Sequence, residues 1–115
     1  TLTIEKYSIF FRILFNASYL SRANSEFALE VLSQTTFDEG LRDSVPSKIN
    51  IAHKFGERKA REDMQQFHDC GIVYYPNHPY LLCVMTRGNN ASSLIEGIKS
   101  VSDFVYKKID AQYKN

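Results

Sequence analysis

Lys54, Gly56 and the backbone of Glu57 are the positions in this sequence best spaced to do chemistry. They close the stretch Ile-Asn-Ile-Ala-His-Lys-Phe-Gly-Glu, residues 49–57. Ile49 and Ile51 alternate with polar or small residues at the period of a strand, and lysine, aromatic and glycine arrive together where that strand should end. A lysine on a strand holds a positive charge in a fixed place. A glycine two residues on removes the side chain that would keep a ligand from the backbone. The N–H of Glu57 can then face a developing oxyanion. The chemistry this pattern suits is binding of an anion and stabilisation of a developing oxyanion, but an ordinary strand-to-turn exit carries the same residues, so the context has to decide.

The elements that position the strand read from both sides. Thr3 can cap a helix beginning at Ile4 with Glu5 in its first turn, and Ile4, Tyr7, Phe11, Leu14 and Phe15, widened by Phe10, recur at helical spacing as a core face. Asn16 to Tyr19 breaks the pattern. Ser21 caps a second helix with Phe27, Ala28, Val31 and Leu32 on its expected inner side. Residues 35–48 form a connector in which Gly40 suits a turn, Leu41 and Val45 tuck under the strand, and Pro46 stops any helix. After Lys54, the charged residues 57–66 lack an apolar period and are expected to form a solvated flap.

Phe67 to Tyr75 and Tyr80 to Arg87 read as two antiparallel strands turning at Pro76 to Pro79, so that residues whose numbers sum to roughly 155 oppose one another. That register puts Cys70, Ile72, Tyr74, Leu81, Cys83 and Met85 on one face and Val73, Tyr75, Tyr80, Leu82 and Val84 on the other. Both faces are apolar and both need cover. Cys70 faces Met85 in this register and the two sulfurs lie diagonally, which predicts two buried free thiols. Asn90 to Ser93 opens a last helix, Ser93 and Glu96 being spaced as a capping box, with a stripe of Leu94, Ile98, Val101, Val105 and Ile109.

The predicted fold is α/β of the α+β kind: a three-layer sandwich with a three-stranded antiparallel sheet between two preceding helices and a C-terminal helix. The 115 residues are expected to make a single partial domain: helical part and connector over 1–48, strands over 49–88 and the last helix over 90–112. A formal net charge of +1, from 14 basic and 13 acidic residues interspersed, gives no basic face for nucleic acid. No run is long and apolar enough to span a membrane, and no signal-peptide pattern occurs. The first residue is Thr1, which fits a chain cut from a longer precursor.

Along most of its length the chain resembles the C-terminal half of the penicillin-recognising serine hydrolases, the group holding class A β-lactamases and D-alanyl-D-alanine peptidases. The likeness is carried by Leu20-Ser21 and Ser25 opening a helix, Gly40-Leu41 and Val45-Pro46 before the strand, then His53-Lys54-Phe55-Gly56, Asp69 to Val73, and Thr86-Arg87-Gly88, in that order. The resemblance implies acyl transfer on a β-lactam or a D-Ala-D-Ala-like peptide, without metal or cofactor, outside the cytoplasm of a bacterium. It implies a catalytic role for Lys54, a backbone oxyanion donor at Glu57, and substrate contacts along Lys54, Phe55, Gly56 and Glu57. It also implies a partner, the missing N-terminal half of the same domain, since no serine here is followed three residues later by lysine and no Ser-x-Asn occurs.

Phe55 departs from that family, whose serine or threonine at this position hydrogen-bonds the substrate carboxylate. His53 is a candidate replacement donor, although on an alternating strand it points away from Lys54 and a structural role fits it better. His68 and Arg87 can share a face across the hairpin, where the arginine could meet a carboxylate bidentately. The alternative to a hydrolase is a catalytically silent relative that binds a peptide or a protein through the Lys54 cleft or the sheet edge.

Overall fold

The computed structural model describes residues 3–114, leaving Thr1, Leu2 and Asn115 outside. Helix α1 spans Ile4–Asn16 and α2 spans Arg22–Ser33. The Thr3 and Ser21 hydroxyls cap them, each accepting at 3.1 Å from the backbone N–H three residues on. A 3-10 turn at Gly40–Arg42 leads to β1 (Ile51–Arg61), β2 (Met64–Val73) and β3 (Tyr80–Gly88), and α3 follows over Ala91–Tyr113. The strands form one antiparallel sheet in the order β1-β2-β3. Helices α1 and α2 cover one face and α3 the other, giving the three-layer sandwich.

One core lies under α1 and α2, where Phe11, Leu29, Ala52, Cys70 and Ile72 meet. On the opposite face Leu41, Phe67, Val84, Leu94 and Ile98 form a second, continued by Val45, Ile49, Ile51, Val73 and Tyr75. Arg42 fastens the connector to the start of β1, donating to the carbonyls of Ile49 at 2.6 Å and Val45 at 3.0 Å as well as to that of Pro46.

Three expectations are corrected. The charged residues 57–66 are not a flap: β1 runs to Arg61, Glu62 and Asp63 make the turn, and β2 begins at Met64. This end of the hairpin projects past the helices, so its pairing leaves no apolar alternation to read. The β2–β3 register is also two residues from the one expected. His78 N–H donates to the Tyr75 carbonyl at 2.9 Å and Asn77 takes a φ of 62°, so the turn is centred on Pro76-Asn77 rather than reaching Pro79. Cys70 therefore opposes Cys83 directly, with Cα atoms 4.0 Å apart, and the two are joined in a disulfide instead of being free thiols. A shift of two leaves each side chain on its expected face.

The third correction concerns the helices. Phe10 and Phe15 on α1 and Phe27 and Val31 on α2 are exposed, Phe27 at 66%. Helix α2 buries Ser25 and Leu29 instead. On α3, Asn90 rather than Ser93 is the cap, accepting from Ser93 N–H at 3.2 Å. The buried line passes from Leu94 and Ile98 to Ser102, leaving Val101 exposed, because the Ser102 hydroxyl donates to the Leu41 carbonyl at 2.8 Å.

Candidate functional site

The site begins with β1 as an edge strand, paired among the described residues to β2 alone. Tyr74 N–H donates to the Asn50 carbonyl at 2.9 Å in line with the ladder that pairs Ile51 with Val73 and Lys54 with Cys70. Even-numbered residues of β1 thus aim their backbone groups at β2, and His53, Phe55 and Glu57 turn theirs to the free edge. Two bonds agree with this alternation. The Thr35 hydroxyl donates to the His53 carbonyl at 3.2 Å, and the Lys54 ammonium curls back to the Phe55 carbonyl at 2.6 Å. The ammonium accordingly lies over the same edge to which the Glu57 N–H points.

Side chains alternate likewise. Lys54, Gly56 and Arg58 share the α1/α2 face with their partners Cys70, His68 and Gln66. The His68 ring lies so close over Gly56 that a Cβ there would stand 2.4 Å from Nε2. Tyr7 from α1 sets its ring against the imidazole at 4.9 Å, at 60° between planes, and donates its hydroxyl to the Lys54 carbonyl at 3.3 Å. Burial, reinforced by the charge of Lys54, lowers the His68 pKa, with Asp69 pulling the other way. Burial, with the charge of Asp69, raises that of the Tyr7 phenol. The lysine is thus flanked by a tyrosine and a histidine held toward their neutral forms.

His53 and Phe55 lie on the opposite face. His53 is buried, its Nδ1 2.9 Å from Asp69 Oδ1, while Oδ2 of that carboxylate accepts the Leu41 N–H at 3.0 Å. Gly40 makes the approach possible: it takes a φ of +65°, and a Cβ there would stand 2.7 Å from Asp69 Oδ2. Phe55 stacks on Phe37 at 3.9 Å between ring centroids and tilts against Phe67 at 5.7 Å. Its ring packs toward α3, away from the lysine. Arg87 shares the face of Lys54 and His68 but opposes Gln66, whereas His68 opposes Met85.

Two residues of this neighbourhood escaped the reading of the sequence. Asp69 could have been found as a lone acid inside an otherwise apolar strand, which needs a buried partner. Tyr7 carried no such signal, because a tyrosine on an amphipathic stripe looks like core.

The three-layer fold is that of a portion of a β-lactamase-like domain. Residues 1–109 match the family model described as the β-lactamase enzyme family, and the chain belongs to that family. Among solved structures it is similar to PBP-A, at 22% identity and a TM-score of 0.75 over 90% of this chain and 38% of that one. It is similar also to a class A β-lactamase from Bacteroides cellulosilyticus, at 18% identity and 0.78 over 93% of this chain and 41% of the other. A β-lactamase from Xanthomonas campestris matches at 21% identity and 0.75, over 90% and 39%. The chain therefore spans about two fifths of the length of these structures. No curated protein sequence matches it.

Proposed function

We propose that this chain is the substrate-presenting portion of a serine hydrolase performing acyl transfer on a β-lactam or a D-Ala-D-Ala-like peptide. Lys54 attracts the substrate carboxylate and lowers the energy of anionic states at the nucleophile. Gly56 lets the substrate lie along β1 as an added strand, and the Glu57 N–H is one of the oxyanion donors. The observation that carries the reading is the Lys54 ammonium over the free edge of β1, beside the backbone groups of Phe55 and Glu57. A PBP-A variant whose wild-type form resembles this chain has been seen as an acyl-enzyme with penicillin G.

The nucleophile of such an enzyme, a serine followed three residues later by lysine, comes from the rest of the domain in this reading. That remainder packs against the exposed Phe10, Phe15, Tyr19, Phe27 and Val31 of the α1/α2 layer. The Cys70–Cys83 disulfide supports a site of action outside the reducing cytoplasm. A second reading is favoured by Phe55, which replaces the usual hydroxyl with a ring packed into the α3 side. In it the protein is catalytically silent and binds a peptide along β1.

Intact mass of the full-length protein before and after incubation with penicillin separates the readings. A stable adduct is expected on the wild type and none on Lys54→Ala. The stability of that variant should stay within about 0.5 kcal/mol, because the side chain is exposed. A steep loss of stability would instead make Lys54 structural. No adduct, together with no turnover of D-Ala-D-Ala peptides, would leave the silent binder.

A further inference from the structure

Beyond the N-terminus of α1 the helix-side face of the sheet carries cations without counter-charges. Arg58 on β1 and Arg87 on β3 both stand opposite Gln66 on β2, in one row across the sheet and on the same face as Lys54. Both arginines are exposed. Among the described residues neither guanidinium lies within 4.0 Å of a carboxylate, and neither side chain donates a hydrogen bond to the protein. The ion pairs present are those of Arg22, His53, Lys99 and Lys107. The hairpin does contain acids, but Glu57 alternates onto the other face and Glu62 and Asp63 occupy the turn. Gathering three cations on one face raises the local potential and costs self-repulsion, which an anion bound there relieves.

We propose that Arg58, Gln66 and Arg87 form a second anion subsite, and that the ligand of the β1 edge is an extended acidic peptide spanning it and Lys54. The inference rests on reading that edge as the ligand strand and names the ligand class it takes. Four residues separate Lys54 from Arg58, about 13 Å along a strand. A peptide paired with β1 presents side chains four residues apart on one face at that spacing. Arg58 on the edge strand offers a carboxylate a planar pair of donors and Gln66 its NH2, while Arg87, two strands in from the edge, adds positive potential. A bicyclic β-lactam is too short to reach both ends, so the subsite selects peptide over lactam.

The test is fluorescence anisotropy on the full-length protein, with labelled heptapeptides carrying either two glutamates four residues apart or one glutamate and one glutamine. At low salt the diacid should bind about fivefold to tenfold more tightly, a gain that fades as salt screens the exposed charges. Arg58→Gln with Arg87→Gln should abolish the preference for the diacid over the monoacid. Arg58→Glu with Arg87→Glu should reverse it toward a peptide with lysine at the second position. Equal binding of both peptides by the wild type, still weakened by Lys54→Ala, would overturn the subsite and leave the edge-strand reading standing. Failure of both peptides to bind would overturn the two together.

Discussion

Gly56→Ala offers the sharpest test of how the site is built, because the fold and the ligand both make claims on this residue. A Cβ at position 56 would stand 2.4 Å from His68 Nε2 and 2.6 Å from Cε1, about 1 Å inside ordinary contact. The imidazole cannot simply swing clear, since Tyr7 is packed against it. Overpacking of this kind costs about 1–3 kcal/mol. Removing the ring should remove the conflict: in a His68→Ala background, Gly56→Ala should cost no more than about 0.5 kcal/mol. Denaturant unfolding of the full-length wild type, the two single variants and the double variant closes the cycle, with a coupling of about 1–3 kcal/mol expected. The same four proteins also separate stability from function. If a ligand must approach the backbone at residue 56, the double variant will be stable yet unable to form the penicillin adduct. Additive effects on stability, within about 0.5 kcal/mol, would refute the claim that His68 is what demands glycine here.

Asp69→Ala should cost about 3–5 kcal/mol in denaturant unfolding, because it strands the buried His53 ring nitrogen and the Leu41 N–H together; a loss under 1 kcal/mol would mean water replaces the carboxylate. Replacing both Cys70 and Cys83 with alanine opens a loop closed over 13 residues, for which chain entropy sets a ceiling of about 3 kcal/mol. The hairpin already holds these ends together, so a smaller loss is expected, and reductant should reproduce it in the wild type. His68, whose pKa is lowered in the fold, makes stability fall on acidification. The unfolded chain takes up its proton below about pH 6.5 while the folded one still resists, so the loss begins there and ends once the folded-state pKa is passed. His68→Asn should flatten that part of the profile of unfolding free energy against pH, and a wild-type profile without the slope would contradict the shift.

The strand bearing Lys54 was legible in the sequence because Ile49 and Ile51 alternate at its start and the Lys-Phe-Gly triplet ends the apolar pattern. The faces of β2 and β3 were legible for the same reason, since alternation alone assigns them. Their register was not, because it depends on which residues of the Pro76 to Pro79 segment make the turn, and both prolines are turn formers. Centring the turn one residue late shifted the register by two, which kept every face and mispaired every residue, and this is why Cys70 was matched to Met85. The hairpin tip was unreadable for a different reason: a strand that projects past the core buries neither face and shows no period. The helices misled through size. Phe27 and Val31 make the stronger stripe on α2, yet the sheet receives Ser25 and Leu29, and an amphipathic pattern cannot say which of two packing partners its apolar side serves.

The two sheet faces divide the work, and this bears on what Phe55 means. On the α3 side, His53, Asp69, Gly40 and Leu41 lock β1 to the connector, and Phe55 joins Phe37 and Phe67 in the same layer. On the α1/α2 side, Lys54, Gly56 and His68 stand with Tyr7 beside the free edge. A residue at position 55 offers its backbone to the edge and its side chain to the α3 layer. The aromatic ring thus strengthens the layer that holds β1 in place without occupying the lysine's side of the strand. The edge keeps its backbone donors and its ammonium, and what is lost is one hydroxyl. In the proposed reading, ligand selection then falls to groups on the lysine's face, among them His68 and the exposed Arg58 and Arg87.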